Sequence, residues 1–163
     1  MFTAHSQYLP SIALKNVQVT GAASSIVLRF AQTAGSGVAN SSYTGLCIYG
    51  TSNGSGSVTP TTGGVNATYM YIFTGNTIAT TSFLSGYLDI SWYIPGSGTG
   101  HATVTGIVGC FDGTNIDQQT IHGTYTNTVA AMNQVVGVSL FLTAGGSPLF
   151  SSACSADVIM NRL

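Results

Sequence analysis

Apolar and hydroxyl-bearing residues alternate along this chain in short stretches, each closed by Gly, Ser, Asn or Pro. A period of two is the mark of a strand with one face buried. It is clearest from Tyr87 to Ile94: Leu88, Ile90, Trp92 and Ile94 point one way, and Tyr87, Asp89, Ser91 and Tyr93 the other. Pro95 ends this strand, and Gly96-Ser-Gly-Thr-Gly100 turns the chain into Thr103 to Cys110, with Val104, Val108 and Cys110 inward. Ile12 to Val19 is apolar at Ile12 and Leu14, then shifts phase to Val17 and Val19, as a bulge near Lys15-Asn16 would require. Ile26, Leu28 and Phe30 oppose Val27 and Arg29, Leu46 and Ile48 oppose Cys47 and Tyr49, and Tyr69, Tyr71 and Phe73 form an aromatic face. Thr120 to Thr126, Val135 to Leu142 and Asp157 to Arg162 bring the count to about nine strands. Helix signals are scarce, and only Thr128 to Gln134 could form a short helix.

No repeat of fixed period occurs, which argues against a propeller or β-helix. The reading is all-β: residues 1–163 as one jelly-roll-like antiparallel β-sandwich of about eight or nine strands. An immunoglobulin-like sandwich ranks second, because the cysteines do not flank the tryptophan as in antibody domains. Apolar runs such as Ile26-Val27-Leu28 fall far short of the roughly 18 residues of a membrane helix. The aromatics lack the girdle spacing of a membrane barrel, so no membrane partner is expected. Met1-Phe-Thr-Ala-His-Ser-Gln has neither the basic nor the apolar region of a signal peptide.

Charge then narrows the function classes. Lys15, Arg29 and Arg162 are the three cations, Asp89, Asp112, Asp117 and Asp157 the four carboxylates, and there is no glutamate. Charged residues make up 4% of the chain, against about a quarter in ordinary domains. Three cations form no basic stripe, so nucleic acid is not an expected partner. Gly, Ser and Thr fill the polar positions instead, which suits a sheet protein that hides surface in an assembly. The sequons at Asn40, Asn53 and Asn66 are accounted for by the abundance of Asn, Ser and Thr.

Candidate chemistry is sparse. Cys47, Cys110 and Cys154 match no zinc spacing and are odd in number, so buried reduced thiols are expected. The sharper alternative is an intermolecular disulfide at Cys154, in the loop Ser151-Ser-Ala-Cys-Ser155. No Gly-x-Ser-x-Gly elbow accompanies His5, His101 and His122, although Cys110 could pair with His101 or His122 if their strands are neighbours. A hydrolytic carboxylate pair would have to come from the four aspartates, of which Asp112 and Asp117 share a loop. Asp112-Gly-Thr-Asn-Ile-Asp117 offers oxygens at i, i+3 and i+5 as calcium loops do, but without their spacing or terminal Glu it reads as a hairpin. Gly96 to Gly100 leads into a strand and carries no lysine, so it is a turn and not a phosphate loop. No catalytic residue, metal or cofactor is therefore expected. Tyr43, Tyr49, Tyr87, Tyr93 and Tyr125 are read as outward tyrosines, serving cross-strand packing, subunit contacts or sugar stacking.

The second half of the chain carries a resemblance. Gly86-Tyr-Leu-Asp-Ile-Ser-Trp-Tyr-Ile-Pro leads to a glycine turn, a Val-Thr-Gly strand, a His-Gly-Thr-Tyr strand and Val138-Ser-Leu-Phe-Leu-Thr. A Gly/Ser loop and the closing strand Ala156-Asp-Val-Ile-Met-Asn-Arg-Leu163 follow. Over roughly residues 83 to 163 this resembles the jelly-roll heads of tailed-bacteriophage tail fibres, head fibres and capsid-decoration proteins. Those heads often close in Tyr-Gly-Ile, where this chain has Asn-Arg-Leu, and usually follow a stalk, where this chain begins its strands almost at once. The resemblance transfers no catalytic residues. It implies a non-enzymatic virion protein, a capsid decoration or surface spike, that binds its own copies, with trimers favoured, and other virion proteins. The alternative it leaves open is a receptor-binding tip for host carbohydrate.

Overall fold

The computed structural model describes residues 8–23, 25–31, 43–51, 59–73, 78–111, 113–114, 116–135, 137–143, 150–152 and 155–162. Among these residues ten strands form: β1 (Tyr8–Val17), β2 (Ser25–Ala31), β3 (Tyr43–Thr51), β4 (Thr59–Ala67), β5 (Met70–Phe73), β6 (Phe83–Tyr93), β7 (Thr99–Phe111), β8 (Ile116–Thr128), β9 (Gly137–Thr143) and β10 (Ser155–Arg162). A single helical turn, α1 (Val129–Met132), follows β8. Its N-cap is Thr128, whose Oγ1 accepts from the Ala131 N–H at 3.3 Å, so the short helix suggested by Thr128 to Gln134 is present.

The strands make two antiparallel sheets, one of seven strands in the order β10-β1-β6-β7-β8-β3-β4 and one of three in the order β5-β2-β9. β1 pairs with β10, β2 with β9 and β3 with β8, so the chain folds back on itself in nested pairs that alternate between the sheets. The all-β sandwich expected from the alternation is thus observed. The long β6–β7 hairpin sits inside the larger sheet, which divides the strands seven and three in place of an eight-stranded jelly roll's equal halves.

The buried face of each strand follows the sequence period. Leu84, Leu88 and Ile90 of β6 and Ala102, Val104, Val108 and Cys110 of β7 line the core, with Trp92 and Ile94 half-buried at its rim. From the smaller sheet Ile26, Leu28, Phe30, Met70 and Ile72 meet them. The phase change in β1 is a bulge: the register with β6 shifts between Leu14 and Val17, and Asn16 takes a left-handed φ of 49°. It keeps Ile12, Leu14, Val17 and Val19 all buried.

β4 is the strand the alternation does not reveal. Thr59-Pro-Thr-Thr-Gly-Gly-Val-Asn-Ala has no apolar period and contains Pro60. It lies at the sheet edge beside β3, where a missing N–H costs no ladder bond on the open side.

Candidate functional site

Strands β6, β7 and β8 carry the outer face of the larger sheet, and their register makes it a grid. Phe83, Phe111 and Ile116 form one row across the three strands, and all three are exposed. The next outward row is Ser85, Gly109 and Gln118, followed by Tyr87, Ile107 and Thr120. Beyond them the face turns hydroxyl-rich, with Thr103, Thr105, Thr124 and Thr126. At its far end Tyr93 tilts against His101 with ring centroids 5.1 Å apart. Asp89 is the only carboxylate that β6, β7 or β8 places on this face, and it accepts a short hydrogen bond from the Ser11 hydroxyl of β1.

Tyr87 and Tyr93 are outward as expected, 48% and 59% exposed. Tyr43 and Tyr125 are not. Both are 0% exposed, and with Phe30 and Trp92 they form one inner aromatic cluster. Tyr43 leaves water because its hydroxyl finds a partner inside, the Phe30 N–H, and burial pushes its pKa above the ordinary value. The Tyr125 hydroxyl accepts from the Asn127 side-chain amide at 2.8 Å, at the end of the strand. The side chain of Tyr49 lies outside the described residues.

Among the described residues the possible catalytic groups are not brought together. β7 and β8 are neighbours, yet Cys110 lies on the inner face opposite Leu84 and Asp117, whereas His101 and His122 are exposed on the outer face opposite Thr126 and Thr105. Side chains of opposite strand parity cannot meet through the sheet. The same parity divides the aspartates, Asp117 being buried inside and Asp89 exposed outside. Gly113, with φ 98°, lies between β7 and β8; Asp112 lies outside the described residues. Gly96 to Gly98 lie in the β6–β7 turn, and Thr99 and Gly100 already open β7. His5 and Cys154 also lie outside the described residues, as do the side chains of Cys47 and Asp157. Among the described residues no group of three His, Cys, Asp or Glu could hold a metal ion, and no helix is long and apolar enough to cross a membrane.

The smaller sheet holds a feature that the alternation alone does not mark. Arg29 of β2 lies with its Cζ 4.5 Å from the ring centre of Phe141 and 5.8 Å from that of Tyr69. Its Nε donates to the Thr68 carbonyl at 2.9 Å. Tyr69 stands edge-on to Phe141 and to Tyr71, and the two tyrosine hydroxyls lie 3.4 Å apart. That hydrogen bond, with partial burial, pushes Tyr71 up to about 12. The sequence signal was present in Arg29 as the one charge in an otherwise apolar strand, but the aromatic partners come from segments distant in sequence.

Comparison with known proteins returned no match: no family model, no curated protein and no solved structure is similar to this chain.

Proposed function

We propose that this chain is a non-enzymatic virion structural protein that works by associating with its own copies and with neighbouring virion proteins. The observation that carries the reading is the outer face of β6, β7 and β8, where Phe83, Phe111 and Ile116 are exposed in one row, with Tyr87 exposed two rows on, on a nearly uncharged surface. Contiguous exposed apolar area marks an interaction surface, and depletion of charge with enrichment of aromatics is the composition of an interface centre. The low net charge of −1 leaves little long-range repulsion between copies. The resemblance of residues 83 to 163 to phage fibre and decoration heads supplies the virion setting and favours a trimer.

Light scattering of the purified protein at micromolar concentration tests the self-association. Trimers or larger species are expected, and Phe111→Ser with Ile116→Ser should dissociate them while each folded monomer loses little stability. A soluble monomer that also fails to bind virions overturns the reading. Copy number in purified particles then separates a head decoration, present in hundreds, from a tail component, present in a few.

A further inference from the structure

We infer that the face of the smaller sheet around Arg29 is a binding site for a carboxylate-bearing sugar. β2, β5 and β9 contain one charged residue among them, Arg29, and no acid. The described carboxylates, Asp89 and Asp117, belong to β6 and β8 of the other sheet. Among the described residues Arg29 therefore makes no ion pair. Its guanidinium is held by aromatic faces and by one hydrogen bond through Nε to the Thr68 carbonyl. A guanidinium has five N–H donors, and among the described residues one is spent here.

A lone guanidinium held by rings and a carbonyl is set for one planar monoanion, which a carboxylate matches with two parallel hydrogen bonds. One cation is too little for a polyanion, whose binding scales with the number of charges neutralised. The surroundings select what carries the carboxylate. Phe141 and Tyr69 offer ring surface for the C–H face of a pyranose, while the adjacent Tyr69 and Tyr71 hydroxyls and Ser139, opposite Arg29 in register, offer donors and acceptors for its hydroxyls. An acidic peptide could meet the cation and the hydroxyls but brings no pyranose C–H face to the rings, so the sugar acid is the occupant assigned and the peptide is an outcome of the test. The site lies on the sheet opposite the assembly face and stands or falls independently of it.

Calorimetric titration of the whole protein with the methyl glycosides of galacturonic, glucuronic and N-acetylneuraminic acid, each carrying one carboxylate, tests the assignment, with the methyl ester of each and a glutamate-rich peptide as comparators. At least one acid form should bind roughly tenfold more tightly than its uncharged ester. Arg29→Gln should abolish that preference, Arg29→Lys should keep part of it, and Phe141→Ala should weaken acid and ester alike. Light scattering of Arg29→Gln should show the assembly state unchanged. Equal binding of acid and ester, binding of none of the three acids, or binding of the peptide alone overturns the proposal. Should Arg29→Gln fail to fold, the acid-against-ester comparison on the unaltered protein decides by itself.

Discussion

The hydroxyl of Tyr43, the first residue of β3, accepts a 2.8 Å hydrogen bond from the backbone N–H of Phe30 in β2. Phe30 lies beyond Leu28 and Met70, the last register pair of β2 with β5, so a side chain from the opposite sheet satisfies a main-chain donor of the smaller one. The bond joins the two layers of the sandwich at its most aromatic point. Tyr43→Phe keeps the ring and leaves that N–H unsatisfied in a buried site, which costs about 1–3 kcal/mol. Denaturant unfolding should show a lowered midpoint with an unchanged slope. A loss below about 0.5 kcal/mol would show that water reaches the Phe30 amide.

Phe30 is the hub of the surrounding cluster. Its ring lies 5.1 Å from Trp92, 5.0 Å from Tyr125 and 6.3 Å from Tyr43, and it is fully buried, whereas Trp92 is only half-buried at the rim. Truncation at the hub should therefore cost more than truncation at the rim. Phe30→Ala should lose about 4–5 kcal/mol and Trp92→Ala about 3 kcal/mol. The reverse order, from matched unfolding curves, would place Trp92 at the centre of the core.

Two tyrosines make the fold sensitive to alkali. A hydrogen bond to the Tyr69 hydroxyl holds the proton of Tyr71, whose pKa is pushed up to about 12, and burial holds that of Tyr43; in the unfolded chain both release it near 10.0. Between those values the unfolded state binds fewer protons than the native one, so stability falls as pH rises. The contribution is complete below about pH 10 and is lost through the folded values above it. Unfolding midpoints at about pH 9 and about pH 11.5 should differ clearly for the unaltered protein. The variant Tyr43→Phe with Tyr71→Phe should fall less over that window, and an equal fall would assign the alkaline effect to other groups.

What the sequence discloses here depends on how far apart the interacting residues lie. Alternation identifies β6 and β7, and the phase slip at Lys15-Asn16 locates a bulge, because both are consequences of one strand's own pleat. β4 escapes because an edge strand need not alternate. Tyr43 and Tyr125 read as outward because a tyrosine between polar residues has no local reason to be buried, and only the opposite sheet's Phe30 supplies one. The Arg29 site escapes in the same way, since Phe141 reaches it from β9 and Tyr69 from the bend before β5, both far along the chain.

Two glycines with close approaches and one in open space give a graded test of the packing. A Cβ at Gly106 of β7 would run into the Tyr87 carbonyl oxygen and come within 3.0 Å of the Leu88 Cα, both on the neighbouring main chain of β6. No rotamer change can relieve that contact, so Gly106→Ala must push two central strands apart, at a cost of about 3 kcal/mol or more. At Gly123 of β8 the obstacle is the Met70 side chain from the smaller sheet, with Cγ 2.8 Å away. Methionine is flexible and can partly swing aside, which limits Gly123→Ala to about 1–3 kcal/mol. The space at Gly123 also ties the two sheets together, so Met70→Ala should relieve part of that cost in the double variant. Gly96, in the β6–β7 turn, has nothing within 4 Å of the added carbon, and Gly96→Ala should stay within about 0.5 kcal/mol of the unaltered protein. Thermal or denaturant unfolding of the three variants should rank them Gly106, Gly123, Gly96. A Gly106→Ala protein as stable as Gly96→Ala would mean that β6 and β7 do not approach each other as closely as this register places them.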